Sequence, residues 1–262
     1  MPFHKFKEYE LYYNTFGNGK IALLFIHGLY GDNGNWKYQV EYFQDRYKVV
    51  AVDLFGHGQS SKNVDPVFSL RLDAEAIVDL MQNEIKIPYI AIGFSLASCI
   101  LPEIIKLDDR LLRGVVLVDC TYQGFYDIAE SRTKFGQNML TLSDKALPVN
   151  AEQWYISLIG DTSPECRELI LSSFRKSNHR WMFQSVAGCR EYNKKYPPDK
   201  TPIRDNLPIL IIEAGHGVGA EFRKSWVNHF KDAQYYLFEK AHHFFYITEH
   251  ERFNKLLEEF IE

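Results

Sequence analysis

The chain is expected to fold as an α/β protein built on a doubly wound, mostly parallel sheet with a helical cap insertion. Three observations carry this expectation. Short, continuous apolar runs alternate with stretches of helical period, the runs end in small or polar residues that open loops, and the alternation lapses between 121 and 203 before resuming. Continuous apolar runs suit strands covered on both faces, as in a parallel sheet flanked by helices. Strand, helix, strand in sequence then implies right-handed crossovers.

Taken in order, alternation from His4 to Tyr13 (Phe6, Tyr9, Leu11 and Tyr13 among polar residues) predicts an opening hairpin, and Asn18-Gly19 is a turn signal before the next run. Ile21 to Ile26 is a third strand, ending in His27-Gly28-Leu29. Asp32 to Phe43 has helical spacing through Trp36, Val40 and Phe43, and Lys48 to Val52 is a fourth strand closing on Asp53. Leu70 to Ile85 reads as an amphipathic helix with Leu72, Ala76, Ile77, Leu80 and Met81 on one side. A fifth strand follows and ends at Ser95, Ser98 to Leu107 continues as helix, and Leu112 to Val118 is a sixth strand ending at Asp119. Residues 121–203 carry helical patches (Ala151 to Leu158, Glu165 to Phe174, Trp181 to Tyr192), no convincing strand, and a turn-rich end at Tyr196-Pro197-Pro198-Asp199. The rhythm returns with a strand at Pro208 to Ile212, a helix from about Gly219 to Phe230, a strand at Ala233 to Phe238 and a closing helix from Glu249 to Ile261. The organisation expected is therefore a core of residues 1–120 and 204–262, with 121–203 inserted over the strand ends.

Composition narrows the partners. A chain of 262 residues, 46% of them apolar, can bury one sizeable core. The net charge of -4 gives no electrostatic reason to expect nucleic acid or an anionic membrane, so a small molecule is the expected partner. No apolar run approaches the length of a membrane span, and the first residues lack the pattern of a secretory leader. Cys99, Cys120, Cys166 and Cys189 form no C-x-x-C pair, so reduced thiols and a cytoplasmic location are expected. No cofactor or metal site is expected. Oligomeric state is not legible.

Ligands in such a sheet bind beyond the carboxyl ends of the strands, where His27, Asp53, Ser95, Asp119 and Glu213 fall. The stretch Gly93-Phe94-Ser95-Leu96-Ala97 stands out. A strand that must reverse into a helix within two or three residues strains its turn residue and needs small neighbours on either side. Gly93 and Ala97 supply them, leaving the Ser95 hydroxyl exposed at the sheet edge. A serine hydroxyl is a poor nucleophile until a base takes its proton, and a carboxylate steadies that base. Two histidines, His242 and His243, lie late in the chain between the last strand and the last helix.

The ordered landmarks His27-Gly28, Asp53-x-x-Gly56-His57-Gly58-x-Ser60, Gly93-x-Ser95-x-Ala97 and the late His243-Phe244 followed by Glu249 and Phe253 make the chain resemble the α/β-hydrolase superfamily. The resemblance implies Ser95 as nucleophile and His243, rather than His242, as base. It also implies an oxyanion hole formed by the backbone N–H groups of Leu29 and Leu96. His57 is expected to serve backbone geometry. The acid departs from the superfamily pattern, because Val218 occupies the slot after the seventh strand where an aspartate is expected. Asp119, at the end of the sixth strand, is the preferred acid, since some branches carry it there; Glu213 is the alternative, and a Ser-His dyad a third. The implied activity is hydrolysis of a small carboxylic ester, thioester or lactone through an acyl-enzyme. Alternatives are C–C bond hydrolysis, lyase or cofactor-free oxygenase chemistry on the His243/Asp119 pair, or a non-catalytic ligand receptor. Tyr122, Phe125, Tyr126, Trp154, Tyr155, Trp181, Met182 and Phe183 would give an apolar or aromatic pocket if they face inward.

Overall fold

In the computed structural model, which describes residues 2–120, 127–197, 204, 206–217, 225–230 and 232–262, eight strands form one sheet in the order β1-β2-β4-β3-β5-β6-β7-β8. The opening hairpin is β1 (Phe3–Phe6) and β2 (Tyr9–Phe16), and β2 runs antiparallel to β4 (Lys48–Val52). From β4 onward every pairing is parallel, through β3 (Ala22–Ile26), β5 (Tyr89–Phe94), β6 (Leu112–Val118), β7 (Ile209–His216) and β8 (Gln234–His242). All residues of β3 and β5 are buried, as their unbroken apolar sequences require.

The chain moves from β3 to β4 in one direction, then from β4 past β3 to β5 in the other. With right-handed crossovers, α1 (Lys37–Phe43) and α2 (Ser69–Leu80) therefore lie on opposite faces. The point of reversal, between β3 and β5, is where a ligand crevice opens in a doubly wound sheet. The loop Gly28-Leu29 and the residue Ser95 both stand there.

Several elements differ in extent from the sequence expectation, each for a local reason. The helix beginning at Asp32 starts as a tight turn, Asn33–Trp36, capped by the Asp32 side chain, before α1. The long helix expected to reach Ile85 stops at Leu80 and widens into a π-turn, Met81–Ile85, ended by Lys86 in the left-handed region (φ 59°). After Ser95 the chain makes a 3-10 turn, Ser95–Cys99, and α3 (Leu101–Leu107) begins only with Pro102 in its first turn, where a missing N–H costs nothing. Strand β8 runs on to His242, and His216 on β7 is its register partner. Strand β7 likewise runs past the expected Ile212 to His216, so Glu213 lies within the strand rather than in the loop beyond it.

Between β6 and β7 come α4 (Asp127–Leu140), α5 (Ala146–Ser157), α6 (Pro164–Arg175), α7 (His179–Ala187) and α8 (Cys189–Lys195). These helices dock on the loops at the carboxyl ends of the strands. Asn35 donates to the Leu169 carbonyl at 3.1 Å, and the Trp181 indole N–H donates to the Val64 carbonyl at 3.2 Å. Short helices α9 (Ser225–His229) and α10 (Phe245–Thr248) precede the closing helix α11 (His250–Ile261).

The closing helix is fastened to α1 by a buried amide network as well as by Phe253 and Leu257. Gln39 Nε2 donates to the Tyr246 carbonyl at 2.8 Å and to Asn254 Oδ1 at 2.9 Å, while Asn254 Nδ2 donates to the Tyr38 carbonyl at 3.2 Å. Removing one member strands the others in a dry interface. Asn254→Ala is therefore expected to cost about 1–3 kcal/mol, read as a lower urea midpoint with an unchanged slope.

Candidate active site

Ser95 is the first residue beyond β5, and its backbone occupies the left-handed region with φ 51°. A side chain larger than hydrogen at position 93 would prevent this turn: a Cβ on Gly93 would lie 2.6 Å from Ala97 Cβ and 2.8 Å from Leu101 Cδ1. Gly28 is small for the same reason on the opposite wall. A Cβ there would lie 2.8 Å from the Phe94 ring and 3.1 Å from Ser95 Cβ, so the backbone leading to Leu29 presses directly on the serine. Leu96 is the second residue of the 3-10 turn, where the first N–H groups are not consumed by the turn itself.

Three strands converge on one hydrogen-bonded chain. Ser95 Oγ lies 3.0 Å from His243 Nε2, and His243 Nδ1 lies 2.5 Å from Asp119 Oδ2. The other carboxylate oxygen, Asp119 Oδ1, accepts the Ala214 N–H at 3.0 Å. Asp119 is itself left-handed (φ 46°), and its N–H donates to the Ile212 carbonyl at 2.7 Å. The chain thus leaves β6 with its carboxylate turned across β7 toward the end of β8.

The imidazole is held from behind by aromatic rings. Phe94 packs on His243 with centroids 4.5 Å apart, and Phe244 lies against both. His242, by contrast, is still on β8 and points elsewhere, with its ring 5.3 Å from that of His216. Adjacent residues at a strand end project to opposite faces, which is why only one of the two histidines reaches Ser95. Glu213 is engaged elsewhere as well: its carboxylate accepts the Tyr235 hydroxyl proton at 2.8 Å from the neighbouring strand. Of the two carboxylates considered from sequence, Asp119 is the one that meets His243. Val218 lies outside the described residues.

The remaining landmarks brace the loops around this chain. Leu54 N–H donates to His27 Nε2 at 3.0 Å, so His27 carries its proton on Nδ1 and donates it to the Gly28 carbonyl at 2.7 Å. Burial pushes the His27 pKa down, which keeps the ring neutral and the tautomer fixed. Asp53 accepts from the Asn33 backbone and side chain and from the Gln59 N–H, each at 2.7 Å, and Ser60 Oγ donates to the Asp53 carbonyl. His57 is buried and closes on its own turn through Nδ1 and the Phe55 carbonyl. Cys120 sits directly beneath the serine, with Sγ 3.5 Å from the Ser95 carbonyl. Burial pushes this thiol up, so it remains protonated.

Of the aromatic residues singled out between 121 and 203, Tyr155 reaches the site, its ring 5.3 Å from Phe244. Trp181 covers Gly56, Phe183 packs among Phe135, Trp154 and Tyr30, and Tyr122, Phe125 and Tyr126 lie outside the described residues. Sequence reasoning missed Tyr30, which has no periodic signal because it stands in the loop after β3, and the Ala214 N–H, which no side-chain motif can reveal. A polar cavity of about 530 Å³ lies to one side between the Asp53 loop and α6 and α7, and neither Ser95 nor His243 is among its lining residues. Among the described residues no group of three or more His, Cys, Asp or Glu is arranged to hold a metal ion, and no helix is long and apolar enough to cross a membrane. Cys99, Cys120, Cys166 and Cys189 form no disulfide.

A reversed doubly wound sheet carrying a serine turn, a late histidine and a carboxylate at its crevice defines the hydrolase type of α/β fold. The chain belongs to the alpha/beta hydrolase family, whose model matches residues 23–256. Over 91 residues it is 37% identical to 3-oxoadipate enol-lactonase 2 of Acinetobacter baylyi, covering 31% of this chain and 34% of that protein. Over 45 residues it is 53% identical to the dihydrolipoyllysine-residue acetyltransferase component of the acetoin cleaving system of Cupriavidus necator, covering 17% of this chain and 12% of that one. The chain thus spans about a third or less of the length of these two curated relatives. A thermophilic esterase from Thermogutta terrifontis superposes with a TM-score of 0.79 at 18% identity, covering 97% of this chain and 93% of the esterase, a likeness of fold.

The brace also makes a pH-dependent prediction. Asp73 on α2 is buried, accepts the Phe55 N–H at 2.7 Å through Oδ1, and has no partner at Oδ2 among the described residues. Burial raises its pKa well above the usual carboxylate range. A raised native value means that the folded state binds the proton more tightly than the unfolded chain. The resulting stabilisation is complete below about pH 4 and is withdrawn as pH rises through the native value. Asp73→Asn, which cannot ionise, is expected to gain stability relative to the wild type between pH 4.5 and pH 8 in parallel urea titrations.

Proposed function

We propose that the protein is a serine hydrolase that cleaves a small carboxylic ester, thioester or lactone through an acyl-enzyme on Ser95. The observation that carries this reading is the unbroken relay of hydrogen bonds from Ser95 Oγ through His243 to Asp119. His243 Nε2 takes the serine proton as Oγ attacks the carbonyl carbon. Its Nδ1–H is already directed at Asp119, so the imidazolium forms without reorientation. Asp119 can stabilise that charge without moving because Ala214 holds its second oxygen. The N–H groups of Leu29 and Leu96 receive the oxyanion, and preorganised backbone donors of this kind cost no rearrangement during the reaction. His243 then returns the proton to the leaving group, and a water activated by the same imidazole releases the acid.

The helices α4 to α8 serve as the cap, and Tyr155, Phe174 and Phe244 form an aromatic cluster beside His243. An enol-lactonase and an esterase are among the similar proteins, which agrees with carbonyl chemistry. A serine at the nucleophile position disfavours epoxide opening, because the epoxide-opening branches of the superfamily use a carboxylate nucleophile.

A fluorophosphonate probe is expected to label the wild type once and Ser95→Ala not at all. Hydrolysis of p-nitrophenyl butyrate should fall about 10⁴-fold or more in Ser95→Ala, and by about 10⁴-fold in Asp119→Asn, in which the imidazole tautomer is no longer fixed. Retention of turnover in Ser95→Ala together with its loss in His243→Ala would replace this reading with proton abstraction by the His243/Asp119 pair.

A further inference from the structure

Among the described residues, three buried polar atoms lack a partner where the loop after β3 faces the helices between β6 and β7: the hydroxyls of Tyr30 and Tyr155 and Nδ1 of His179. They belong to one cluster. The Tyr30 ring lies 5.4 Å from Tyr155 and 5.5 Å from His179, and Phe174 packs against all three at 4.7 Å, 4.8 Å and 4.7 Å. The cluster adjoins the catalytic chain on both sides. Tyr155 packs on Phe244, next to His243, and Tyr30 stands two residues beyond the Gly28 backbone that presses on Ser95.

Buried hydroxyls and imidazole nitrogens are almost always hydrogen-bonded, because desolvating them without a partner is costly. Here three such groups, drawn from three separate elements, are left without one on side chains whose rings pack together. Tyr30 adds a second cost: its φ is 65°, a backbone region that a bulky aromatic residue enters only when its surroundings hold it there. Strain and desolvation together beside the Ser95–His243 pair are accounted for if the missing partner arrives with the ligand.

The chemistry of that partner follows from the groups. Burial pushes both tyrosines up, so each hydroxyl keeps its proton and can donate. Burial pushes His179 down, leaving a neutral ring. The carboxyl that bears on Tyr155 is Asp32, which opposes a second anion in the cluster. What suits two donors and a neutral imidazole among aromatic walls is an uncharged acceptor.

We infer that Tyr30, Tyr155 and His179 form a recognition subsite for an uncharged carbonyl oxygen of the substrate, separate from the carbonyl that Ser95 attacks, so that the preferred ester or lactone carries a keto group in its acyl part. The inference rests on the ester-hydrolase reading for its choice of substrate, but the binding it describes does not require turnover.

The test compares p-nitrophenyl 4-oxopentanoate with pentanoate and 5-oxohexanoate with hexanoate, matched in chain length. The wild type is expected to favour the keto ester of at least one pair by about tenfold in kcat/KM, the equivalent of one well-made hydrogen bond. In Tyr30→Phe and Tyr155→Phe that ratio is expected to fall to about one. Both variants should melt no lower than the wild type, because the hydroxyl removed has no protein partner; a clear drop in Tm would assign the hydroxyls a structural role and overturn the inference. A wild-type ratio near one for both pairs, or ratios unchanged by both substitutions, would overturn it as well. If no ester is cleaved, calorimetry on Ser95→Ala decides. Tighter binding of methyl 4-oxopentanoate or methyl 5-oxohexanoate than of the matched alkanoate, lost in Ser95→Ala/Tyr155→Phe, sustains the subsite while removing the hydrolase reading, and equal binding removes the subsite.

Discussion

The hydrogen bond between His243 and Asp119 is the interaction on which the site depends, because it joins two segments 124 residues apart across three neighbouring strands. Asp119 leaves β6, its clamp comes from β7, and His243 follows β8. The parallel register of these strands aligns their carboxyl ends, so Asp119, the Ala214 N–H and His243 arrive at the same height. Moving β8 by one residue would exchange His243 for His242 and turn the imidazole to the other face. The buried amide network at α11 secures this register from outside, since it holds the Tyr246 carbonyl three residues beyond the base.

Backbone strain marks the same region. Ser95, Asp119 and Tyr30 are all non-glycine residues with positive φ, and all stand at the carboxyl edge of the sheet. Each uses an unfavourable conformation to aim a side chain where an ordinary strand exit would not send it. The surrounding packing over-determines them: Ala97 and Leu101 fill the space beside Gly93, Ala214 fixes the Asp119 carboxylate, and Phe174 covers Tyr30. The motif Asp53 to Ser60 contributes to the site through loops rather than through chemistry, since Asp53 holds the backbone of Asn33 and Gln59.

Much of this was legible in the chain. The apolar runs from Ala22 to Ile26 and from Leu112 to Val118 fall on their strands because burial on both faces leaves little freedom in residue type. The serine turn was legible because its geometry demands small neighbours. The preference for Asp119 over Glu213 came from resemblance and not from the residues alone, since both lie near strand ends and the length of β7 separates them. That strand continues through Glu213 because its backbone stays paired with β8 as far as His216, which a local reading of Pro208 to Ile212 does not register. Tyr30 was illegible for a different reason: a residue in a loop has no period, and its importance comes only from partners contributed by α5, α6 and α7.

His243 lies 148 residues after Ser95. At about 5–20 residues per second, a ribosome needs roughly 7 to 30 s to extend the nascent polypeptide from one to the other. Throughout that interval the Ser95 side chain is an ordinary alcohol. The long separation therefore means that the Ser95–His243 hydrogen bond can form only after the last strand has been made.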